Sequence, residues 1–193
     1  KKAGYWFRDS NAFELNAYEY THVSQNRNRL FMIAFSADEF KNGRIDLNLN
    51  QHEASKDLRQ FIDFDGTVDD ESYYLDEDNR YYKMIAEKED NPYCIYQLRK
   101  YLVRVKDPGV CPTLTANMGL GGHNVPFIFD KKGLRKLTEF ECLRLQGFPD
   151  WYKFPEEVSR PKRYQQIGNS VIPVLIEKIA KSVKEKIESE RNR

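Results

Sequence analysis

At 193 residues, with 40% hydrophobic, 13% aromatic and 32% charged residues, the chain has the composition of a soluble globular protein of one domain or two small lobes. No apolar run approaches the roughly 20 residues of a membrane span, no apolar leader follows Lys1-Lys2-Ala3-Gly4-Tyr5, and three widely spaced cysteines, Cys94, Cys111 and Cys142, speak against a disulfide framework and for a reducing, cytoplasmic setting. The net charge of +1 hides an uneven distribution: positions 63–90 carry eleven acidic against three basic residues, and positions 94–136 eight basic against two acidic, so a polyanion is drawn to the second stretch and repelled by the first, although two solvated surfaces of opposite sign would give the same pattern.

In chain order, Leu30–Phe35 is a continuous apolar run that predicts a buried strand of a parallel or mixed sheet. Asn42-Gly43 marks a turn. The acidic, tyrosine-rich stretch that follows reads as loops with one helix around 79–89. Tyr96 to Val105 mixes β-branched, aromatic and basic residues, as a strand or hairpin arm does. Asp107-Pro108-Gly109 turns the chain, and 113–122 is loop-like and glycine-rich. Val125–Phe129 suggests another strand, closed by Asp130-Lys131-Lys132-Gly133. Thr138, with Glu141 three residues on, predicts a capping box and a helix whose apolar side is Phe140, Leu143 and Leu145, ended by Gly147. A last helix is predicted from about Pro173 to Glu190, with Leu175, Ile176, Ile179, Ala180, Val183 and Ile187 at helical spacing.

Four segments carry polar groups suited to chemistry. Gln25-Asn26-Arg27-Asn28-Arg29 sets two guanidinium groups beside a strand end, where they can hold phosphate or a developing oxyanion, or else remain a solvated edge. Pro112–Asn124 combines glycines, which allow close backbone approach, with Thr and Asn side chains that suit phosphates or base edges. It is not a P-loop, which needs Lys-Ser or Lys-Thr after the second glycine, and a plain hairpin tip is the other reading. Arg135–Pro149 is a capped helix with a sharp stop, a scaffold by its physics. Gln166-Ile167-Gly168-Asn169-Ser170-Val171-Ile172-Pro173 reads as a turn that opens a helix and offers backbone N–H groups to a small polar ligand, or simply caps that helix.

Together and in this order the four segments resemble the C-terminal motif series of the DNA cytosine-5 methyltransferases. Gln25–Arg29 is similar to the family's Gln-x-Arg-x-Arg motif, and Thr113-Leu114 to the Thr-Leu pair of the target-recognition domain. Arg135–Pro149 is similar to the motif that braces that domain, and Gly168-Asn169-Ser170 with Val171 and Pro173 to the final motif. The matches span about residues 20 to 185, and the stretch Asp38–Tyr93 matches none of the motifs.

The resemblance implies a C-terminal part of an enzyme that recognises a duplex DNA site and helps move a methyl group from S-adenosylmethionine to carbon 5 of a cytosine turned out of the stack. In that family a cysteine thiolate adds to carbon 6 and makes carbon 5 nucleophilic. Arg29 would contact the flipped base or its flanking backbone, supported by Arg27, and Asn169 and Ser170 would line the cofactor pocket. Arg99, Lys100, Arg104, Thr113, Thr115, Asn117 and His123 would face DNA; a loop histidine turned to water is the other reading of His123. The Pro-Cys nucleophile, the glycine-rich cofactor loop and the Glu-Asn-Val motif of the family's N-terminal half are absent from this sequence, and none of the three cysteines follows a proline. The chain alone is therefore expected to be inactive and to need an N-terminal catalytic half or partner subunit. His22, His52 and His123 are too scattered for a metal site.

The implied fold class is α/β. Residues 1–41 and 150–193 are expected to form part of a Rossmann-like catalytic domain, contributing one strand and the C-terminal helix. Residues 42–149 would form a small, mostly β and loop target-recognition domain with its bracing motif. A half-sheet of this kind exposes apolar edges and should pair with another half or dimerise. A non-catalytic DNA-binding module, the small subunit of a split or decayed methyltransferase, and a purely structural protein remain as other readings. Compact loops suit a bacterial or phage protein, in the cytoplasm or at the nucleoid, with restriction–modification as one role.

Overall fold

The computed structural model describes residues 4–51, 56–88, 91–99, 101–119 and 124–191. Strand β1 (Tyr5–Trp6) is followed by β2 (Ala12–Asn16), the short helix α1 (Ala17–Tyr20), β3 (Asn28–Met32) and β4 (Phe35–Ser36). These form two antiparallel ribbons, β1 with β4 and β2 with β3, and Leu15 stands opposite Arg29 in the second. The expected buried strand at Leu30–Phe35 is corrected here. The chain leaves the ladder after Met32, and Leu30 and Met32 are 61% and 67% exposed. Strand alternation is the reason: Phe31 packs on the core while its two neighbours project from the other face of a ribbon only two strands wide.

The acidic stretch is mainly loop, with helix α2 (Arg80–Ala86) near the expected place, N-capped by Asn79 accepting from the Tyr81 N–H at 2.8 Å. The basic stretch folds into a four-stranded antiparallel sheet. Its strands are β5 (Tyr96–Arg99), β6 (Leu102–Val105), β7 (Val125–Phe129) and β8 (Leu134–Lys136), in spatial order β6-β5-β7-β8. Tyr96, Leu98, Val103, Val125 and Phe127 pack with Ile85 of α2 into a core of their own.

Helix α3 (Glu139–Leu145) starts at the capping box that the sequence predicts, with the Thr138 hydroxyl and the Glu141 carboxylate bonding reciprocally to backbone N–H groups. It stops at Gly147, whose φ of 79° suits glycine. Its apolar side differs from expectation: Cys142, Leu143 and Leu145 are buried, whereas Phe140 points outward. Helix α4 (Arg160–Asn169) is an element that the apolar spacing did not announce, and α5 (Pro173–Arg191) completes the chain. The larger core runs from Leu15 and Val23 through Phe61, Leu114 and Leu145 to Ile167, Leu175 and Ile179, so early and late parts of the sequence share one interior.

The bracing segment is held by charge as well as by packing. Arg135, 1% exposed, donates to both oxygens of Glu141 at 2.8 Å, to Asp130 at 2.7 Å and to the Asp63 carbonyl at 3.0 Å. Glu139 accepts from the Tyr73 hydroxyl, and Tyr74 donates to Asp130 at 2.8 Å. The acidic stretch without a motif is thus docked on the bracing helix, which explains how buried carboxylates are tolerated there.

Candidate functional site

The four segments singled out in the sequence meet around three buried side chains, Gln25, Arg27 and Gln146. A parallel bridge between Gln25 and Cys111 brings the first segment beside the second. The Gln25 amide donates to the Gln146 side-chain oxygen at 2.6 Å and to the Leu145 carbonyl at 3.2 Å. Its own oxygen accepts from the Leu114 N–H at 3.2 Å and from Arg27 at 3.4 Å. The Arg27 guanidinium donates to the carbonyls of Leu114 at 2.9 Å, Gly168 at 3.0 Å and Ser170 at 2.7 Å. Gln146 in turn donates to the Ile167 carbonyl at 3.2 Å, and to the Ser170 carbonyl and hydroxyl at 3.1 and 2.7 Å. One guanidinium and two amides, two of the three from the first segment, therefore engage backbone groups of the other three segments, the arrangement that a buried polar cluster needs to be tolerated.

Arg27 is 5% exposed, and burial followed by the charge of Arg29 pushes its pKa down to about 10. Arg29, two residues on, is exposed on β3 and donates to the Asn28 carbonyl at 2.6 Å. The expected arginine pair thus divides into a buried tie and an outward-facing cation.

The expectation that Gly168-Asn169-Ser170 opens a helix is corrected. Gly168 and Asn169 are the last residues of α4 and Ser170 is its C-cap, so the turn gives carbonyls to Arg27 rather than N–H groups to a ligand. Gly168 is needed for close approach, because a Cβ there would lie 2.2 Å from the Ala116 backbone nitrogen. Asn169 is exposed. The Ser170 hydroxyl is committed, donating to the Ile167 carbonyl at 2.7 Å and accepting from Gln146.

A cleft of about 220 Å³ lies between the β5–β6 hairpin and the 112–115 segment, lined among others by Arg99, Arg104, Lys106, Thr113, Thr115 and Gln97, with Asn26 and Asn124 at its sides. It gathers four of the expected DNA-facing residues, Arg99, Arg104, Thr113 and Thr115. Asn117 adjoins it, accepting from the Thr115 hydroxyl at 2.6 Å. Lys100 and His123 lie outside the described residues. Among the described residues no carboxylate lines the cleft, so its field is cationic and suits a phosphodiester strand. Sequence reading missed Asn26, Gln97, Lys106 and Asn124. The first sits in a quoted motif, and Gln97 and Lys106 could have been found from strand alternation, since Tyr96 and Leu98 are the core positions of β5.

Cys94, Cys111 and Cys142 are buried, and burial raises the thiols of Cys111 and Cys142 above the ordinary range, the opposite of what a nucleophile needs. Among the described residues no His, Cys, Asp and Glu grouping could hold a metal ion, and no helix is long and apolar enough to cross a membrane.

Comparison with known proteins bears on what this arrangement serves. Residues 4–185 match the family model described as C-5 cytosine-specific DNA methylase. The chain is 36% identical over 170 residues to the Type II methyltransferase M.Bsp6I of Bacillus sp. (strain RFL6), which covers 88% of this chain and 53% of that protein. It is 27% identical to the Type II methyltransferase M.MspI of Moraxella sp, over 83% of this chain and 35% of that protein. Among solved structures, S. pombe Dnmt2 methyltransferase superposes with a TM-score of 0.58 at 16% identity, over 93% of this chain and 57% of that one. The Entamoeba histolytica methyltransferase EhMeth gives 0.55 at 19% identity, over 96% and 55%. The chain thus has a mixed α/β, partial methyltransferase fold and spans about half the length of M.Bsp6I and of these solved chains.

Proposed function

The chain belongs to the C-5 cytosine-specific DNA methylase family, and from that premise we propose that it is the C-terminal, DNA-recognising portion of a DNA cytosine-5 methyltransferase. In this reading it holds a specific duplex site and helps transfer a methyl group to carbon 5 of a flipped cytosine. The observation that carries the reading is the convergence of Gln25, Arg27, Leu114, Gln146 and Ser170 in one hydrogen-bonded cluster. That cluster presents Arg29 on one side and leads to the cationic cleft through Thr113, whose hydroxyl donates to the Asn26 carbonyl at 2.6 Å. Residues 1–41 and 150–193 belong to the catalytic domain in this proposal, and 42–149 to target recognition.

Arg29 is the catalytic contact: exposed and always charged, it can meet the cytosine oxygen or the flanking phosphate and stabilise charge that develops there. Arg27 is a positioning residue, because its guanidinium donates to the carbonyls of Leu114, Gly168 and Ser170. Enzymes of this family take the methyl group from S-adenosylmethionine. Asn169, with its exposed amide, fits a contact to that cofactor, and Ser170 fits a supporting role because its hydroxyl is already bonded. Arg99, Arg104, Thr113, Thr115 and Asn117 hold DNA through the cleft.

The nucleophile and most of the cofactor pocket come from an upstream half. Two surfaces support a missing partner: Leu30 and Met32 stand exposed on β3, and Ile176, Ile179, Ala180, Val183 and Ile187 line an open apolar groove of about 490 Å³ along α5. The resemblance to Type II methyltransferases favours a bacterial restriction–modification role in the cytoplasm or at the nucleoid.

The test is methyl transfer from labelled S-adenosylmethionine to duplex DNA, by this chain alone and after mixing with the upstream half of its gene. No transfer alone and transfer on mixing is the expected result. Transfer by the chain alone overturns the assignment of the nucleophile to the upstream half. No transfer with a folded partner leaves a non-catalytic DNA-binding module, the second reading, which the cleft supports independently.

A further inference from the structure

We propose that Gln97 and Asn124 form a base-reading floor in the cleft between the β5–β6 hairpin and the 112–115 segment, taking a nucleobase edge that shows a hydrogen-bond donor and an acceptor side by side. This rests on the reading of the cleft as a DNA surface and adds what the cleft recognises.

Gln97 is 3% exposed, lies on the central strand β5 between Arg104 of β6 and Pro126 of β7, and turns to the cleft rather than to the core that takes Tyr96 and Leu98. Its amide makes no hydrogen bond among the described residues. Asn124 lines the same cleft, and its side-chain oxygen is buried with no partner among the described residues. Its backbone is held at a φ of 71° with its N–H donating to the Leu98 carbonyl at 2.9 Å. A buried amide oxygen without a partner is disfavoured in a folded chain, and one beside the unengaged Gln97 amide in the same cleft points to a ligand that supplies the missing groups.

The chemistry of that ligand follows from the donor sets. Arg99, Arg104 and Lys106 carry only donors and suit phosphate oxygens. Phosphate has only acceptors and cannot satisfy the Asn124 oxygen. An amide needs a donor and an acceptor together, as adenine shows at N6 and N7 and a G·C pair shows at O6 and N4. A base pair read in the groove and an unstacked base entering the cleft share this chemistry.

The test uses the chain and two variants. Gln97→Met keeps the length of the side chain without its amide, and Asn124→Gly keeps the positive φ. Each protein is incubated with a pool of randomised duplexes, the bound fraction is sequenced, affinities are followed against salt, and thermal unfolding is recorded. The expected result is a roughly tenfold loss of preference at one base-pair position in each variant, with an unchanged salt slope and melting no lower than wild type. A 2-aminopurine at that position then separates the sources: a rise in fluorescence on binding marks an unstacked base, no rise a paired edge. Unchanged preference, a proportional loss for every sequence, or a variant that melts well below wild type overturns the proposal. Wild-type binding without sequence preference overturns it while leaving the DNA surface standing. A wild type with no salt-dependent DNA binding overturns the DNA surface itself, and the base-reading floor with it.

Discussion

Gln25 donates a 2.6 Å hydrogen bond to Gln146, a residue 121 positions away, and neither side chain is exposed. Through this bond the segment that carries the arginine pair is tied to the bracing segment, whose Gln146 in turn holds Ser170. Gln146→Leu keeps the volume close but removes both amide atoms. It leaves the Gln25 amide with its longer bond to Leu145 and deprives the Ser170 carbonyl and hydroxyl of a donor. Unmade bonds of this kind cost about 1–3 kcal/mol each when buried, so urea unfolding should show a loss of roughly 2–4 kcal/mol. A change within about 0.5 kcal/mol, as at an ordinary surface site, would sink the idea that this amide ties the motifs together.

The two arginines should separate stability from activity. Arg27→Met strands the carbonyls of Leu114 and Gly168 and leaves that of Ser170 with Gln146 alone, and the chain should lose about 2 kcal/mol or more. Arg27→Lys should recover little, because one ammonium group cannot span the fork of acceptors that the guanidinium meets. Arg29→Ala, at an exposed position, should leave the unfolding midpoint almost unchanged yet abolish most methyl transfer by the reassembled enzyme. Full methylation by Arg29→Ala would remove Arg29 from the catalytic role.

These variants test residues that were legible at different depths. The Thr138–Glu141 capping box and the Gly147 stop are local, set by side chains three residues apart and by one positive φ, and the sequence sufficed for them. The β5–β6 hairpin was equally plain. The helix α4 was not, although Ser159 at its N-cap and Pro161 in its first turn form a start signal; the apolar spacing of Tyr164 and Ile167 is too sparse to mark it. Leu30 and Met32 misled because an apolar run does not tell which face is covered, and that depends on a strand partner rather than on the run itself. The Gln25–Arg27–Gln146 cluster was invisible as geometry, since the bonds that tie Gln25 and Arg27 to the later segments join residues more than 80 positions apart. What the sequence carried was the order of the motifs.

The buried charge network makes a sharper stability prediction than the amides. Glu141 receives two bonds from Arg135 and also closes the capping box at the Thr138 N–H, 2.7 Å away. Glu141→Gln keeps the shape but leaves Arg135 balanced by Asp130 alone. Removing one member of a buried pair costs roughly 3–5 kcal/mol, and thermal unfolding should register the loss. Glu177→Gln, on an exposed i,i+4 pair with Lys181, is the control and should leave the unfolding midpoint almost where it was. Equal effects at the two sites would refute the distinction between buried and surface charge.

Lys56 gives the pH dependence. Burial, and then the charge of Lys178, bring its pKa down to about 8 from an ordinary 10.5. Between these values the unfolded chain binds more protons than the folded one, so the contribution of this group to stability rises with pH from about 8 to 10.5 and is flat on either side. The measurement is the difference in unfolding free energy between wild type and Lys56→Met from pH 7 to 11. Wild type should gain on the variant across that window. A difference that stays level, or falls, would show that Lys56 is not held in a proton-releasing environment.

The cleft should be read most directly by salt. Arg99, Arg104 and Lys106 share it with no carboxylate, so each that meets a phosphate displaces condensed counterions and adds about 0.9 to the slope of log affinity against log salt. Replacing one of them by alanine should flatten the slope by roughly one unit and weaken all sequences alike. Replacing Arg80, an exposed arginine that stacks on Tyr81 beyond the cleft lining, should leave the slope where it was. The chain by itself should bind weakly if, as proposed, a second half completes the DNA surface, yet the slope should already be visible. If instead Arg80→Ala flattens the slope as much as Arg104→Ala does, the attraction belongs to the basic surface at large, and the cleft loses its claim to the strand.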